Sequence, residues 1–245
     1  MPSLRSLLRR AAEFDQRFLG VGAAVPASLR RRIRRLMGIS PRPSPRRYVP
    51  ASLGVEGFLR ALRDRGTRYV VLRWFEALPR VEPGEDIDIL VADADLAGLA
   101  DLLDDEDGII PCDIYTATGM PGTAYRGTSY LPPARAAELL ERARLQSGLV
   151  RVPDPEDHFL SLAYHAVYQK GLASGLPTAD PSLVPEAAPE HDYAAILADL
   201  ARGLSWDVRI TMEDLDALLA ARGWRPPSDM LAILSQYNPW IKGRP

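Results

Sequence analysis

The sequence predicts an α+β fold, in which a small mixed β-sheet lies between a basic helical arm and a helical domain. Between residues 51 and 130, short apolar stretches typical of strands alternate with amphipathic helical spacing. After residue 130 the chain shows only helical spacing, with capping residues at the helix ends. We therefore expect an arm with a proline-rich linker at 1–50, an α/β core at 51–130 and a helical domain at 131–245.

Composition narrows the class of protein. The chain has 245 residues, of which 47% are hydrophobic, which suits one domain with a sizeable appendage or two small domains. No run approaches the roughly 18 apolar residues of a transmembrane helix, and the N-terminus lacks an apolar signal core. A single cysteine, Cys112, excludes an internal disulfide and a cysteine-rich zinc site. The prediction is a cytoplasmic protein without a transmembrane segment.

The N-terminal arm is strongly basic. Residues 1–50 hold twelve arginines against Glu13 and Asp15, a net charge of +10, so the remainder of the chain carries −12. Helical spacing predicts helices at 3–18 and 26–37, followed by a proline-rich linker at 40–50. Such an arm suits an anionic partner, whether lipid, nucleic acid or an acidic protein surface. The alternative is a solvated arm that docks on the acidic remainder of the same chain.

The elements of the core follow from apolar spacing and from glycine and proline positions. We predict helices and strands in this order: helix 54–66, strand 67–75, strand 86–92, helix 95–107 and strand 108–116. The helical domain is predicted from five segments that begin near Pro, Asp, Ser or Thr, most of which end near Gly or Asn. These segments are 132–146, 154–171, 191–203, 211–223 and 227–238.

Two carboxylates stand out in the predicted strand "DIDILVA" at 86–92. Residues two apart share a face of a strand, so Asp86 and Asp88 point the same way. Burying two like charges together costs several kcal/mol unless a cation compensates them. Asp113, in the apolar stretch "GIIPCDIYT", follows one crossover helix and belongs to a strand that we expect beside the first. These residues predict a divalent-cation site, while the alternative is a strand end where both aspartates reach water.

With these elements and aspartates in this order, the sequence resembles the polymerase β-like nucleotidyltransferase superfamily. The segment "YVVLRWFEALPRVEPGEDIDILVAD", at 69–93, is similar to its catalytic core, in which an Asp-x-Asp pair follows a strand and turn. The resemblance spans about 54–118, and bacterial branches associated with surface polysaccharides share the pattern. It implies that Asp86, Asp88 and Asp113 bind Mg²⁺ or Mn²⁺, with Asp113 also serving as general base.

The chain departs from that family at one position. Where the family has a Gly-Ser turn that holds phosphates, this sequence has Arg73 and Trp74. The guanidinium of Arg73 can make a bidentate pair with phosphate oxygens, and the indole of Trp74 either stacks on a nucleobase or fills the core. Arg126, in the Gly/Thr/Ser-rich loop 120–130, is a further candidate contact for the nucleotide or the acceptor.

The helix at 154–171 carries a polar stripe that includes His165 and ends near Lys170. If the stripe faces a cleft, both side chains are candidates for binding phosphate or sugar groups. If it faces other helices, these groups make internal hydrogen bonds, and the helix dipole favours Lys170.

The predicted function is metal-dependent transfer of a nucleotidyl group from a nucleoside triphosphate, such as ATP, to a hydroxyl of a small-molecule or glycan acceptor. A role in surface-polysaccharide metabolism follows from the resemblance alone. The alternative function is a non-catalytic member of the same fold. In that case the protein binds or scaffolds, and its basic arm docks a partner, a membrane surface or RNA.

Overall fold

The computed structural model describes residues 46–104, 108–242 and 244. The predicted arm helices at 3–18 and 26–37 lie outside these residues. Within the described residues the chain forms a four-stranded mixed sheet, a two-stranded hairpin and seven α-helices, which confirms the α+β class. None of the helices in this part of the chain has the length and apolarity of a membrane span.

The main sheet contains four strands in the order β1-β4-β3-β2. They are β1 (Arg46–Pro50), β2 (Tyr69–Val71), β3 (Ile87–Val91) and β4 (Gly108–Thr116). Strands β3 and β4 run parallel, whereas β1 with β4 and β2 with β3 are antiparallel. The parallel pair is connected through α2 (Leu96–Ala100), as the crossover between parallel strands requires.

The two faces of the sheet bury different cores. Alternation in β2, β3 and β4 sends Val71, Ile89 and Ile114 to one face, where they pack on α1 (Gly54–Asp64). Its side chains Val55, Phe58, Leu59 and Leu62 are buried there at the 3.6-residue spacing, each worth roughly 1.5–3 kcal/mol of burial.

The other face bears Val70, Asp88, Leu90, Asp113 and Tyr115, and we call it the carboxylate face. Its apolar members join one continuous hydrophobic cluster with the helices that follow residue 130. These helices are α3 (Pro133–Arg142), α4 (Pro155–Tyr164), α5 (Tyr193–Gly203), α6 (Met212–Ala221) and α7 (Ser228–Leu234). The sheet and the helical region therefore share a core, and helices enclose the apolar part of the face on which the aspartates lie.

Helix α4 continues into a π-helical segment, His165–Lys170. This wider turn changes which backbone carbonyls find partners, and the buried Asn238 amide donates to the carbonyls of Val167 and Tyr168 at 2.8 and 3.2 Å. Gly171 ends the segment with φ of +57°, and a Cβ there would lie 2.3 Å from Asn238 Oδ1. Only glycine fits this position, so the packing of Asn238 and the end of the π-helix depend on each other.

Three sequence expectations about elements are wrong. Residues 46–50, which we assigned to the proline-rich linker, form β1, because all five pair with β4 between Gly108 and Asp113. The predicted strand at 67–75 is only three residues long. The predicted helix at 132–146 ends at Arg142, and Arg144–Gln146 forms β5, paired with β6 (Val150–Val152). In the first and third cases pairing with a distant or following strand overrides the local preference, whereas in the second only the length of the strand differs.

Candidate functional site

The three predicted aspartates meet on the carboxylate face. In the parallel pair, Asp88 of β3 lies directly opposite Asp113 of β4. Asp86 comes two residues before Asp88, immediately ahead of β3, and the same arginine contacts both Asp86 and Asp113. The strand period and the register together therefore bring together three carboxylates that are separated in sequence.

Arg46 bridges two of these carboxylates. Its register partner across the antiparallel β1–β4 pair is Asp113, so its side chain projects from the same face. Its Nε and Nη2 donate to Asp113 Oδ1 and Oδ2 at 2.7 and 3.0 Å, and Nη2 also donates to Asp86. This residue was not among the predicted site residues. The adjacent Tyr48 and Val49, residue types that are favoured in strands, were the local signal for the strand that places it.

Arg73 neutralises the third carboxylate. Its Nη2 lies 2.7 Å from Asp88 Oδ2, and the two side chains are only 11% and 3% exposed. Its Nη1 also donates to the hydroxyl of Tyr130. The guanidinium that we expected to pair with a phosphate is thus bound to a buried carboxylate, and it supplies the positive charge that this carboxylate needs.

Positive charge on this face falls short of negative charge. Burial raises the pKa of Asp88 to about 7; Arg73 opposes this shift, and Asp86 and Asp113 add to it. Burial also raises the pKa of Asp86, with Asp113 adding to the shift and Arg46 opposing it. Three carboxylates and two guanidiniums leave one negative charge in excess when all are ionised, so the site still favours a cation.

A buried hydrogen-bond chain extends from Arg73 into the helical region. The Tyr130 hydroxyl lies 3.0 Å from His165 Nδ1, which is also 2.7 Å from Gln169 Oε1. His165 Nε2 is 3.3 Å from the Tyr193 hydroxyl, and burial lowers the pKa of the imidazole well below its ordinary value. Both ring nitrogens therefore have internal partners. Of the two alternatives for the polar stripe, the structure agrees with internal hydrogen bonding at His165.

The other predicted contact residues, Trp74, Lys170 and Arg126, also have partners within the protein. Trp74, with φ of +55°, packs its ring against that of His191, with the ring centres 4.1 Å apart, so the indole proposed to stack on a nucleobase already has an internal partner. Lys170 pairs with Glu190 at 2.8 Å. The Arg126 guanidinium lies between the rings of Tyr125 and Tyr237, at 5.1 and 4.7 Å from their centres.

A cleft of about 250 Å³ opens beside the carboxylates. Asp86 lies on its wall with Arg73, Trp74 and His191, while its remaining lining includes Glu76, Leu78, Val81 and Glu85. Apolar side chains with a few polar groups are typical of small-molecule sites. The cleft gives a ligand access to the edge of the carboxylate cluster at Asp86.

The donor set suits Mg²⁺ or Mn²⁺, but its present arrangement does not. Carboxylates on adjacent strands are the oxygen ligands that hard divalent cations prefer. Yet among the residues that the structure describes, no group of three or more His, Cys, Asp or Glu side chains is arranged to hold a metal ion. The reason is visible in the contacts, since guanidinium groups take up oxygens of all three aspartates.

Comparison of the chain with family models, with curated proteins and with solved structures finds no match. The nucleotidyltransferase resemblance therefore stays a prediction from the residues quoted above.

Proposed function

We propose that this chain is a nucleotidyltransferase that transfers a nucleotidyl group from a nucleoside triphosphate to a hydroxyl of a small-molecule or glycan acceptor. One observation supports the proposal above the others. Asp88 and Asp113 are register partners on parallel strands, and Asp86 joins them through a shared arginine. Grouping carboxylates costs free energy because like charges repel, and groups of this kind are typical of functional sites.

In this proposal each aspartate has a role. Asp86, Asp88 and Asp113 would together hold Mg²⁺ or Mn²⁺, which would supply neutralisation of the triphosphate charge, while Asp88 keeps Arg73 on one of its two oxygens. Asp113 would accept the proton of the acceptor hydroxyl on a carboxylate oxygen. The hydroxyl oxygen forms a bond to the α-phosphorus while the bond from that phosphorus to the pyrophosphate oxygen breaks, and pyrophosphate leaves.

The charge of the protein bears on the acceptor. Beyond residue 50 the chain carries a net −12, and the cleft wall includes Glu76, Glu85 and Asp86. Such a surface repels a polynucleotide, whose binding rests on contacts between basic side chains and phosphates. A small or glycan acceptor is therefore the better fit, and surface-polysaccharide metabolism is one setting for it.

The test is Mg²⁺-dependent binding of the four nucleoside triphosphates, measured by calorimetry on the full chain. We expect binding of at least one triphosphate with Mg²⁺ and at least tenfold weaker binding by Asp113→Asn, which keeps the side-chain shape. Asp101→Asn, at an exposed position of the same chain, is the matched control and should bind like wild type. If no triphosphate binds to the folded wild-type protein, the proposed activity is wrong.

A second candidate function is a non-catalytic binding or scaffold protein of the same fold. The observation that favours it is that Arg46 and Arg73 contact all three carboxylates. In that case the arginines are permanent counter-ions and the basic arm is the docking element. Removal of residues 1–45 would then abolish salt-sensitive retention on anionic vesicles or RNA, while nucleotide binding would be absent from the start.

A further inference from the structure

The two arginines of the carboxylate face are held very differently. The Arg73 side chain is 11% exposed, is paired with a buried carboxylate and is tied to Tyr130. The Arg46 side chain is 45% exposed, and its partners Asp86 and Asp113 are 28% and 16% exposed. Exposed ion pairs are weak because water solvates the separated charges well. Arg46 holds Asp113 through two hydrogen bonds, yet of the two arginines it is the more exposed and so the more easily displaced counter-ion.

The backbone allows this displacement without unfolding. Arg46 is the first residue of β1, whereas Val49, further along the strand, is fully buried. Tyr48 and Asp104 exchange backbone hydrogen bonds at 2.8 and 2.9 Å, which fix the middle of β1 on its outer side. We expect the oxygens of Asp86 and Asp113 to be freed by movement of the Arg46 side chain, while β1 keeps its pairing with β4.

We propose that Arg46 is an internal cap, whose guanidinium occupies the divalent-cation position between Asp86 and Asp113 and gives way when the cation binds. This inference rests on the proposed function, because it takes the carboxylate face as the metal site. The cap compensates the charge of Asp86 and Asp113 in part between binding events, and it sets a threshold cation concentration below which the site stays closed.

The charge balance of the cluster favours a divalent cation that replaces Arg46 over one that binds beside it. With both arginines in place and all three aspartates ionised, the cluster carries one excess negative charge. A divalent cation added beside both guanidiniums would leave an excess positive charge next to another cation. If it replaces Arg46 and leaves Arg73 on Asp88, the cluster becomes neutral.

The test is Mn²⁺ binding to the full chain, measured by calorimetry and by the electron paramagnetic resonance signal of free Mn²⁺. We expect Arg46→Ala to bind Mn²⁺ at least tenfold more tightly than wild type. The matched control is Arg47→Ala, which removes the same charge from the neighbouring position. Arg47 is the register partner of Cys112 and lines a small pocket with Ile114 on the opposite face, so its loss should leave the Mn²⁺ affinity near that of wild type.

A third variant locates the bound ion. Adding Asp86→Asn to Arg46→Ala should abolish the gain, because it removes one of the two carboxylates that the cap had covered. Arg46→Gln, which keeps a long polar side chain, gives a second version of the test if the alanine variant folds poorly. The Mn²⁺-induced rise in melting temperature should be larger in the uncapped variants than in wild type.

Each contrary outcome overturns the cap. The cap is wrong if Arg46→Ala and wild type bind Mn²⁺ with equal affinity, or if neither binds Mn²⁺. It is also wrong if Arg47→Ala gains as much Mn²⁺ affinity as Arg46→Ala. These outcomes are distinct from failure of the proposed function. If the uncapped protein gains Mn²⁺ affinity but binds no triphosphate, the cap stands and nucleotidyl transfer is wrong. If wild type binds Mg²⁺ and triphosphate but Arg46→Ala has the same Mn²⁺ affinity as wild type, the proposed function stands and the cap is wrong.

Discussion

Replacement of Arg73 by methionine is the sharpest test of how the carboxylate face is stabilised. The substitution keeps much of the side-chain volume but removes the charge 2.7 Å from Asp88. Removing one partner of a buried ion pair costs about 3–5 kcal/mol, because the other charge is left buried without compensation. For a chain of this size that loss corresponds to a fall of about 6–20 °C in the melting temperature.

The cost should depend on pH in a definite direction. Burial raises the pKa of Asp88 to about 7, above its ordinary value of 3.8, so the folded state holds this proton more tightly than the unfolded state. The stability that this group contributes is complete below about pH 4 and is lost as pH rises to about 7. Without Arg73 the pKa of Asp88 rises further, and the loss extends to higher pH.

The assay is urea unfolding of wild type and Arg73→Met, followed by tryptophan fluorescence at pH 5.5 and pH 8.5. We expect a loss of about 3–5 kcal/mol at pH 8.5. At pH 5.5 the protonated Asp88 needs no counter-charge, so the loss should fall to about 1 kcal/mol, the value of the lost hydrogen bonds. Adding Asp88→Leu should restore most of the stability at pH 8.5. An equal loss at both pH values, without rescue, would refute the assignment of Arg73 as counter-ion.

Two further substitutions test the frame around the site. Gly171→Ala should lower the free energy of unfolding by about 1–3 kcal/mol or more in a denaturant titration, because it combines a positive φ with a contact of 2.3 Å to Asn238. The control is Gly203→Ala, whose new Cβ would meet no other part of the protein within 4 Å and should cost nothing. Equal effects of the two substitutions would contradict this prediction. Asp154→Ala should cost about 0.5–2 kcal/mol, because the side chain accepts from Asp157 N–H at the start of α4. Burial raises the pKa of Asp154, but the hydrogen bond from Asp157 N–H lowers it, and the net shift is downward. The stabilisation by this hydrogen bond is therefore present above the ordinary pKa and is lost as pH falls through the lowered value. Thermal melts that show the same loss of stability in Asp154→Ala at pH 2.5 and at pH 7 would contradict this.

Local signals in the sequence predicted most of the helices. Helices α4 and α5 begin where Asp154 and Asp192 precede them, and in the structure both side chains accept the capping hydrogen bond. Capping acts over three residues, so it can be recognised without knowledge of the fold. Strand β1 shows the converse. Apart from Tyr48 and Val49, nothing within 46–50 distinguishes it from a linker, and its partners in β4 lie between 58 positions (Pro50 to Gly108) and 67 positions (Arg46 to Asp113) away.

The sequence alone determined that Asp86 and Asp88 would share one side of a strand, and it indicated a third carboxylate, Asp113, on a neighbouring strand. The strand period places Asp86 and Asp88 together, and a strand following one crossover helix adds Asp113. Tertiary structure decided what neutralises them. Arg46 reaches Asp113 across 67 positions, and Arg73 reaches Tyr130 across 57. Such pairings depend on strand order and register, which no local pattern encodes. For the same reason the sequence could suggest a cation for this face, and only the fold revealed that arginines now supply the charge.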